Sequence, residues 1–314
     1  MSALFTVIMP VFLVIGFGYV VAWRRMFSAE AVDGLMRFAQ NFAVPVLLFR
    51  SMAGLDLSAN FDPALLLSFY AGAFASFFLG WGAARRLFDR PPQDAVAIGF
   101  VCLFSNSLLL GVPITERAYG VDATAGNFAI IALHSPLLYT FGITFMEFTR
   151  AHGSGVSAGR VALRALKGVA RTPLVIGILT GLAMNVLTTA GLAMPEGFWG
   201  GVDMIARAAL PAALFGLGGV LVRYKPEGDA ATIATCCACS LIVHPAITWG
   251  LAQALGLDTA ALRSAVMTAA MAPGVNAYLF ASLYGAAMRV AASTVLVATA
   301  LSILSIWVWL AILP

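Results

Sequence analysis

The chain has 314 residues, 61% of them hydrophobic and only 10% charged, with a mean hydropathy of +0.94 and a formal net charge of +4. Soluble domains carry roughly 25% charged residues, so this composition excludes an ordinary soluble protein and specifies a polytopic membrane protein. The basic residues lie between apolar runs rather than on a patch, which excludes a nucleic-acid partner.

Ten runs have the length that a hydrocarbon core demands, near 3–23, 31–52, 63–86, 94–120, 124–149, 172–191, 199–222, 230–255, 260–285 and 288–312. The first reads as a span rather than a signal peptide, because Arg24 and Arg25 follow it instead of preceding it. With the N-terminus outside, fourteen of the basic residues fall on inner loops and span ends. Only Arg50, Arg117, Arg207 and Arg263 fall outside. This positive-inside asymmetry predicts that both termini are periplasmic or extracellular, with membrane lipid as the surrounding partner.

Residues 151–171 form the longest polar connection. Their Gly/Ser start reads as a linker, and Arg160, Arg164, Lys167 and Arg171 then recur at helical spacing. That pattern predicts a short basic amphipathic helix on the inner leaflet. The linker divides the chain into a first five-helix repeat, 1–150, and a second, 172–314. An odd number of spans per half inverts the second half relative to the first. Pro45 aligns with Pro211 at nearly the same offset that relates Tyr119-Gly120 to Tyr284-Gly285.

Two spans are interrupted where a span should be plain. One is FSNSLLLGVPITERAYG, Phe104 to Gly120; the other is MTAAMAPGVNAYLFASLYG, Met267 to Gly285. Pro113 and Pro273 cannot donate a backbone hydrogen bond, and lipid offers no substitute, so such breaks need protein or a water-filled cavity around them. Interrupted spans at matching positions of two halves point to a transporter binding site. Asn106, flanked by Ser105 and Ser107, offers neutral donors to an anion, although Asn and Ser also serve as glue between packed helices. Pro273, Gly274 and Asn276 supply the second half of the candidate site, and half-helix N-termini there suit an anionic ligand. Gln40 and Asn41, near Pro45, either line the cavity or belong to a kinked scaffold helix.

His134 and His244 each stand close before a proline and are candidates for proton coupling or for plain hydrogen bonding to a neighbouring carbonyl. No acidic residue sits at a span midpoint, which argues against coupling through a carboxylate. The C-C-x-C of Cys236, Cys237 and Cys239 lacks a second ligand pair, so neither a metal nor a cofactor is called for. Without a P-loop, a nucleophile elbow or H-E-x-x-H, direct ATP drive and hydrolysis find no support, and no enzyme is expected.

N-S-L-L-L-G-V-P (Asn106 to Pro113), with Tyr119-Gly120 after it, resembles the broken-span signature of the auxin efflux carrier family. A-P-G-V-N-A-Y-L-F-A-S-L-Y-G and A-L-P-A-A-L-F are similar to further segments of that family, and the likeness runs over the whole chain. The chain lacks the long central cytoplasmic domain of the plant carriers, which matches the compact bacterial, malonate-carrier type of the inner membrane. The resemblance implies a fold like that of bile acid–sodium symporters, with two broken helices crossing at the substrate. It further implies a dimerising scaffold of spans one, two, six and seven, beside which the other spans move as an elevator. It assigns Asn106 to the substrate carboxylate and Pro113 and Pro273 to the crossing. The implied substrates are small organic carboxylates, with H+ or Na+ as coupling ion and a homodimer as the assembly.

The expected function is therefore secondary or facilitative transport of a malonate- or malate-like anion by alternating access. An exporter of auxin-like aromatic acids is the rival within transport. A passive anion channel needs a continuous polar lining that these apolar spans lack, and a membrane sensor calls for a soluble output domain.

Overall fold

The computed structural model describes residues 4–56, 61–150, 158–227 and 229–314. Among them the regular secondary structure is all helical, with no strand beyond one isolated bridge. In chain order the helices are α1 (Met9–Trp23), α2 (Ala29–Phe38), α3 (Val44–Ala53), α4 (Pro63–Arg86), α5 (Pro92–Leu103), α6 (Val112–Tyr119), α7 (Ala125–Arg150) and α8 (Ala158–Ala170). They continue as α9 (Pro173–Thr189), α10 (Glu196–Leu221), α11 (Ala230–Ala238), α12 (His244–Ala254), α13 (Thr259–Ala269), α14 (Val275–Tyr284) and α15 (Met288–Ile312).

Six stretches are long and apolar enough to cross a membrane: Leu4–Trp23, Pro63–Arg86, Val121–Arg150, Glu196–Leu221, Ala230–Ala254 and Met288–Ile312. The remaining apolar runs are shorter or divided, as α2 with α3, α5 with α6, α9 alone, and α13 with α14. Phe17, Leu13, Leu67, Leu79, Val186 and Leu304 are exposed on these helices. In water they would be a liability; against lipid tails they are solvated. The chain is an all-helical, polytopic membrane protein.

Helix boundaries follow local chemistry. Ser28, Asp62, Asp229 and Asp258 each cap a helix by accepting from a backbone N–H of its first turn. Pro63, Pro92 and Pro173 occupy first positions, where a missing N–H costs nothing. Gly120 (φ +93°) and Gly285 (φ +62°) end α6 and α14 with backbone that a side chain resists, which explains the two Tyr-Gly pairs.

Four widened π-turns, at Leu4–Ile8, Ala39–Ala43, Ser107–Gly111 and Cys239–Val243, each end two residues before a proline: Pro10, Pro45, Pro113 and Pro245. A proline ring in an α-helix collides with the carbonyl four residues back, and widening the preceding turn relieves that collision. Helix continuity is thus kept at Pro113; that span is interrupted earlier, at Phe104–Asn106.

Packing sorts the helices into two groups. In one, α1 lies on α10, α9 on α3, and α2 and α3 on α10. In the other, α4 packs on α5, α12 and α13, α7 on α5 and α13, and α15 on α11 and α14. α8 lies against α7 with Arg160, Lys167 and Arg171 exposed; the residues before it, 151–157, and the side chain of Arg164 fall outside the described set. The α1–α10 contact depends on Gly18 and Gly218. A methyl at Gly18 would overlap the Phe215 carbonyl, and one at Gly218 the Ile15 carbonyl.

Two outcomes are expected. Gly218→Ala should lower the melting temperature at a cost of about 1–3 kcal/mol, since rigid backbone rather than a movable side chain opposes it. Asp229 has its carboxyl pKa held below the ordinary range, first by the Thr232 hydroxyl at 2.6 Å, then by the Ala231 N–H. A depressed folded pKa adds stability above the ordinary value of about 3.9 and loses it as pH falls. The stability difference between wild type and Asp229→Asn should therefore shrink on acidification below about pH 4, read by thermal unfolding across pH.

Candidate functional site

α5 ends because Phe104 (φ −94°, ψ 83°) leaves helical geometry, and the chain stays non-helical through Asn106 before resuming at Ser107. α13 ends at Ala269, and the chain turns extended before Pro273, which disfavours helix at the residue it follows. Gly274 (φ −82°, ψ 170°) then caps α14.

The two interruptions lie antiparallel and pair. The Asn106 N–H donates to the Ala272 carbonyl at 2.8 Å, and the Gly274 N–H to the Phe104 carbonyl at 3.3 Å. Between these bonds, Ser105 faces Pro273 as a non-hydrogen-bonded pair, a position whose own N–H groups do not enter the ladder. Proline is therefore harmless at 273. Backbone groups that helix interruption would leave bare within the membrane find partners here.

Side chains tie the junction to its neighbours. Phe100 and Phe280 stack at 3.9 Å between centroids, joining α5 to α14. The Tyr139 hydroxyl donates to the Asn276 carbonyl at 3.1 Å and joins α7 to the first turn of α14. The buried Asn127 amide donates to Thr115 Oγ1 at 3.1 Å and Thr268 Oγ1 at 2.8 Å, linking α7, α6 and α13. Asn127 and Tyr139 escaped the sequence reading. Their only signal is a polar group inside the apolar run of α7, which helix packing alone also accounts for.

A cavity of about 530 Å³ opens at this junction, in the seam between the two helix groups. Its lining includes Gln40, Asn41, Ser105, Asn106, Ser107, His134, Gly274 and Asn276. Eight of the residues singled out in the sequence thus come together. Pro273 lies in the paired segment instead, and Pro113 lines a different cavity. His244 is buried elsewhere, its Nε2 lying 3.3 Å from the Phe69 carbonyl. The structure also brings in residues that spacing did not reveal: Ser135, Tyr139, Thr172, and Gly168 with Val169 at the end of α8.

No Asp, Glu, Lys or Arg stands among the described lining residues. The side-chain amides of Gln40, Asn41, Asn106 and Asn276 form no hydrogen bond among the described residues. Neither ring nitrogen of His134 has a partner at full hydrogen-bond geometry among the described residues, although the Ser105 backbone lies close to it, and its ring lies between Phe104 at 4.6 Å and Phe69 at 5.7 Å. Ser105 and Ser107 share a hydrogen bond at 2.8 Å. Gly274 lies against Asn106, to whose Cβ and Cγ a methyl on the glycine would make contact at 3.4 Å. The helical segments beginning at Ser107 and at Val275 start at this space, with Ser107 to Leu109 and Val275 to Asn276 in its lining, and a helix N-terminus carries roughly half a positive charge. The arrangement offers neutral donors and helix-end polarity to an anion, without a fixed counter-charge.

Known proteins similar to this chain agree with a transport role. A protein of Rhizobium meliloti named "Putative malonate transporter" is 24% identical over 98% of this chain and 94% of its own length. "Uncharacterized transporter YfdV" of Escherichia coli K12 is 23% identical over 90% of this chain and 88% of its own. Auxin efflux carrier component 3 of Arabidopsis thaliana is 26% identical over 46% of this chain, which corresponds to 23% of that longer protein. The family described as membrane transport protein matches residues 3–310, so the chain belongs to that family, the one in which auxin efflux carriers are found.

Proposed function

We propose that the protein is a secondary or facilitative transporter of small organic carboxylates of the malonate or malate type, binding them at the paired helix breaks. One observation carries the reading: two half-helix N-termini and four amides without a hydrogen bond among the described residues meet in one cavity, whose described lining holds no charged side chain. A carboxylate would accept from Asn106 and Asn276, from Ser105 or Ser107, and from first-turn N–H groups. Asn41 would close the site from the opposite helix group. Such binding neutralises the anion through dipoles, so the empty site carries no unpaired charge to bury during a conformational step. The name of the Rhizobium relative supports the substrate class.

In this reading the chain makes ten spans, 1–150 and 172–314 being inverted five-helix repeats joined by the 151–171 linker. Both termini face the periplasm of a bacterial inner membrane. The group of α1, α2, α3, α9 and α10 is the scaffold of a homodimer, and the other group, carrying the breaks, moves past it as an elevator. The seam position of the cavity supports this, because sliding one group would expose the site to either side. H+ or Na+ is the candidate coupling ion. His134 is better placed than His244 for a proton, since it lines the cavity while His244 does not.

A second reading, transport of an aromatic acid, draws on the rings of Phe104 and Tyr139, 5.3 Å apart in the cavity wall, and on a volume that exceeds a small dicarboxylate. A panel of malonate, malate, lactate and an arylacetate, with and without sodium and across pH, separates the two readings through thermal stabilisation of the purified protein. Malonate or malate should raise the melting temperature. Asn106→Ala should weaken that binding at least tenfold, because a hydrogen bond to a charged group contributes about 1.5–3 kcal/mol. Its ligand-free melting temperature should stay near wild type, since the amide makes no hydrogen bond among the described residues. Stabilisation by no carboxylate, or equal affinity in Asn106→Ala, would overturn the assignment.

A further inference from the structure

A second cavity, of about 560 Å³, lies in the same seam beyond the paired breaks. Its wall combines Pro10, Val11 and Val14 of α1, Leu47 and Arg50 of α3, Pro113, Glu116 and Arg117 of α6, and the Asp203–Leu214 face of α10. α6 and its preceding π-turn run between the two cavities. Ser107 lies in one and Pro113 in the other, roughly 9 Å apart along the axis at 1.5 Å per residue. Val112, just before Pro113, is buried in one apolar cluster with Leu48 and Phe128.

The charges in this vestibule are arranged unevenly. Arg50 is committed: its Nε donates to Asp203 Oδ1 at 2.7 Å and its guanidinium lies 5.0 Å over the Trp199 ring. Arg117 is held by the Thr6 carbonyl, to which Nε and Nη2 donate at 3.2 and 2.8 Å. Arg207 has neither an ion pair nor a hydrogen bond among the described residues. Among the described lining residues, Glu116 is the one opposing acid besides the paired Asp203. With the termini outside, the outward end of the chain carries seven acidic side chains and four arginines, yet three of those arginines converge on this one pocket. A concave wall with an excess of one sign focuses its field on the opening and raises the local concentration of counter-ions.

We infer that this vestibule is a second anion site, which captures small carboxylates at the face opposite the main cavity, with Arg207 as the contacting cation and Arg117 beside it. Guanidinium groups match a carboxylate in two-pronged geometry. The inference rests on the transport reading for its physiological use, but its chemistry stands on these residues alone.

The test reports the vestibule directly. Leu210→Cys, or Leu47→Cys if that variant fails to fold, places a thiol in its wall; the four native cysteines are buried. Labelling rates are measured with an anionic and a cationic methanethiosulfonate and compared with a free thiol. The anionic reagent should be favoured several-fold, Arg207→Gln combined with Arg117→Gln should abolish that preference, and malonate should slow labelling. Protection should persist in Asn106→Ala, which separates this site from the main cavity. Absence of an anionic preference, a preference indifferent to the two arginines, or slowing matched by chloride at equal ionic strength would each overturn the inference. Protection lost in Asn106→Ala would overturn it as well, by assigning the effect to the main cavity. Malonate protection here without malonate stabilisation through Asn106 would remove the transport reading and leave the vestibule.

Discussion

Everything at the centre of this molecule depends on two backbone hydrogen bonds between interrupted helices. A helix that stops within a membrane leaves first-turn donors and last-turn acceptors without water to receive them. Here each interruption supplies part of what the other lacks, through Asn106 to Ala272 and Gly274 to Phe104. The residues at the starts of the following half-helices, Ser107 to Leu109 and Val275 to Asn276, line the cavity. Under the proposed function, structural necessity and ligand recognition share one device: the groups that pairing leaves over are those an anion would use.

That device sets requirements outward from the junction. Asn127 and Tyr139 hold α6, α13 and α14 to α7, while the Phe100–Phe280 stack holds α5 to α14. The breaks therefore belong to one tightly tied helix group. The other group meets it across a seam in which both cavities lie, and its own coherence comes from glycine contacts such as Gly18 and Gly218, where backbones touch. Close packing within each group and open space between them is the arrangement that relative motion would need.

The prolines illustrate how sequence logic and structure diverge. Pro113 and Pro273 look equivalent as interruptions of apolar runs. Pro273 sits in the paired segment at a position that needs no N–H, whereas Pro113 is absorbed by a π-turn and faces the vestibule. The same absorption occurs before Pro10, Pro45 and Pro245. A missing donor is visible in sequence; how the chain compensates depends on whether a second segment lies alongside.

Composition and periodicity were enough for the membrane class, the helical content and the two interrupted spans, because those properties are local: twenty apolar residues, or an Asn and a Pro among them, mean the same in any surroundings. Asn106, Gly274 and Asn276 were legible for that reason. The meeting of residues more than 160 positions apart, the part of Asn127 behind the junction, the arrival of Gly168 and Val169 at the cavity and the convergence of Arg50, Arg117 and Arg207 were decided by tertiary packing alone. Each depends on which helix faces lie across the seam, a relation between distant segments that hydropathy does not encode.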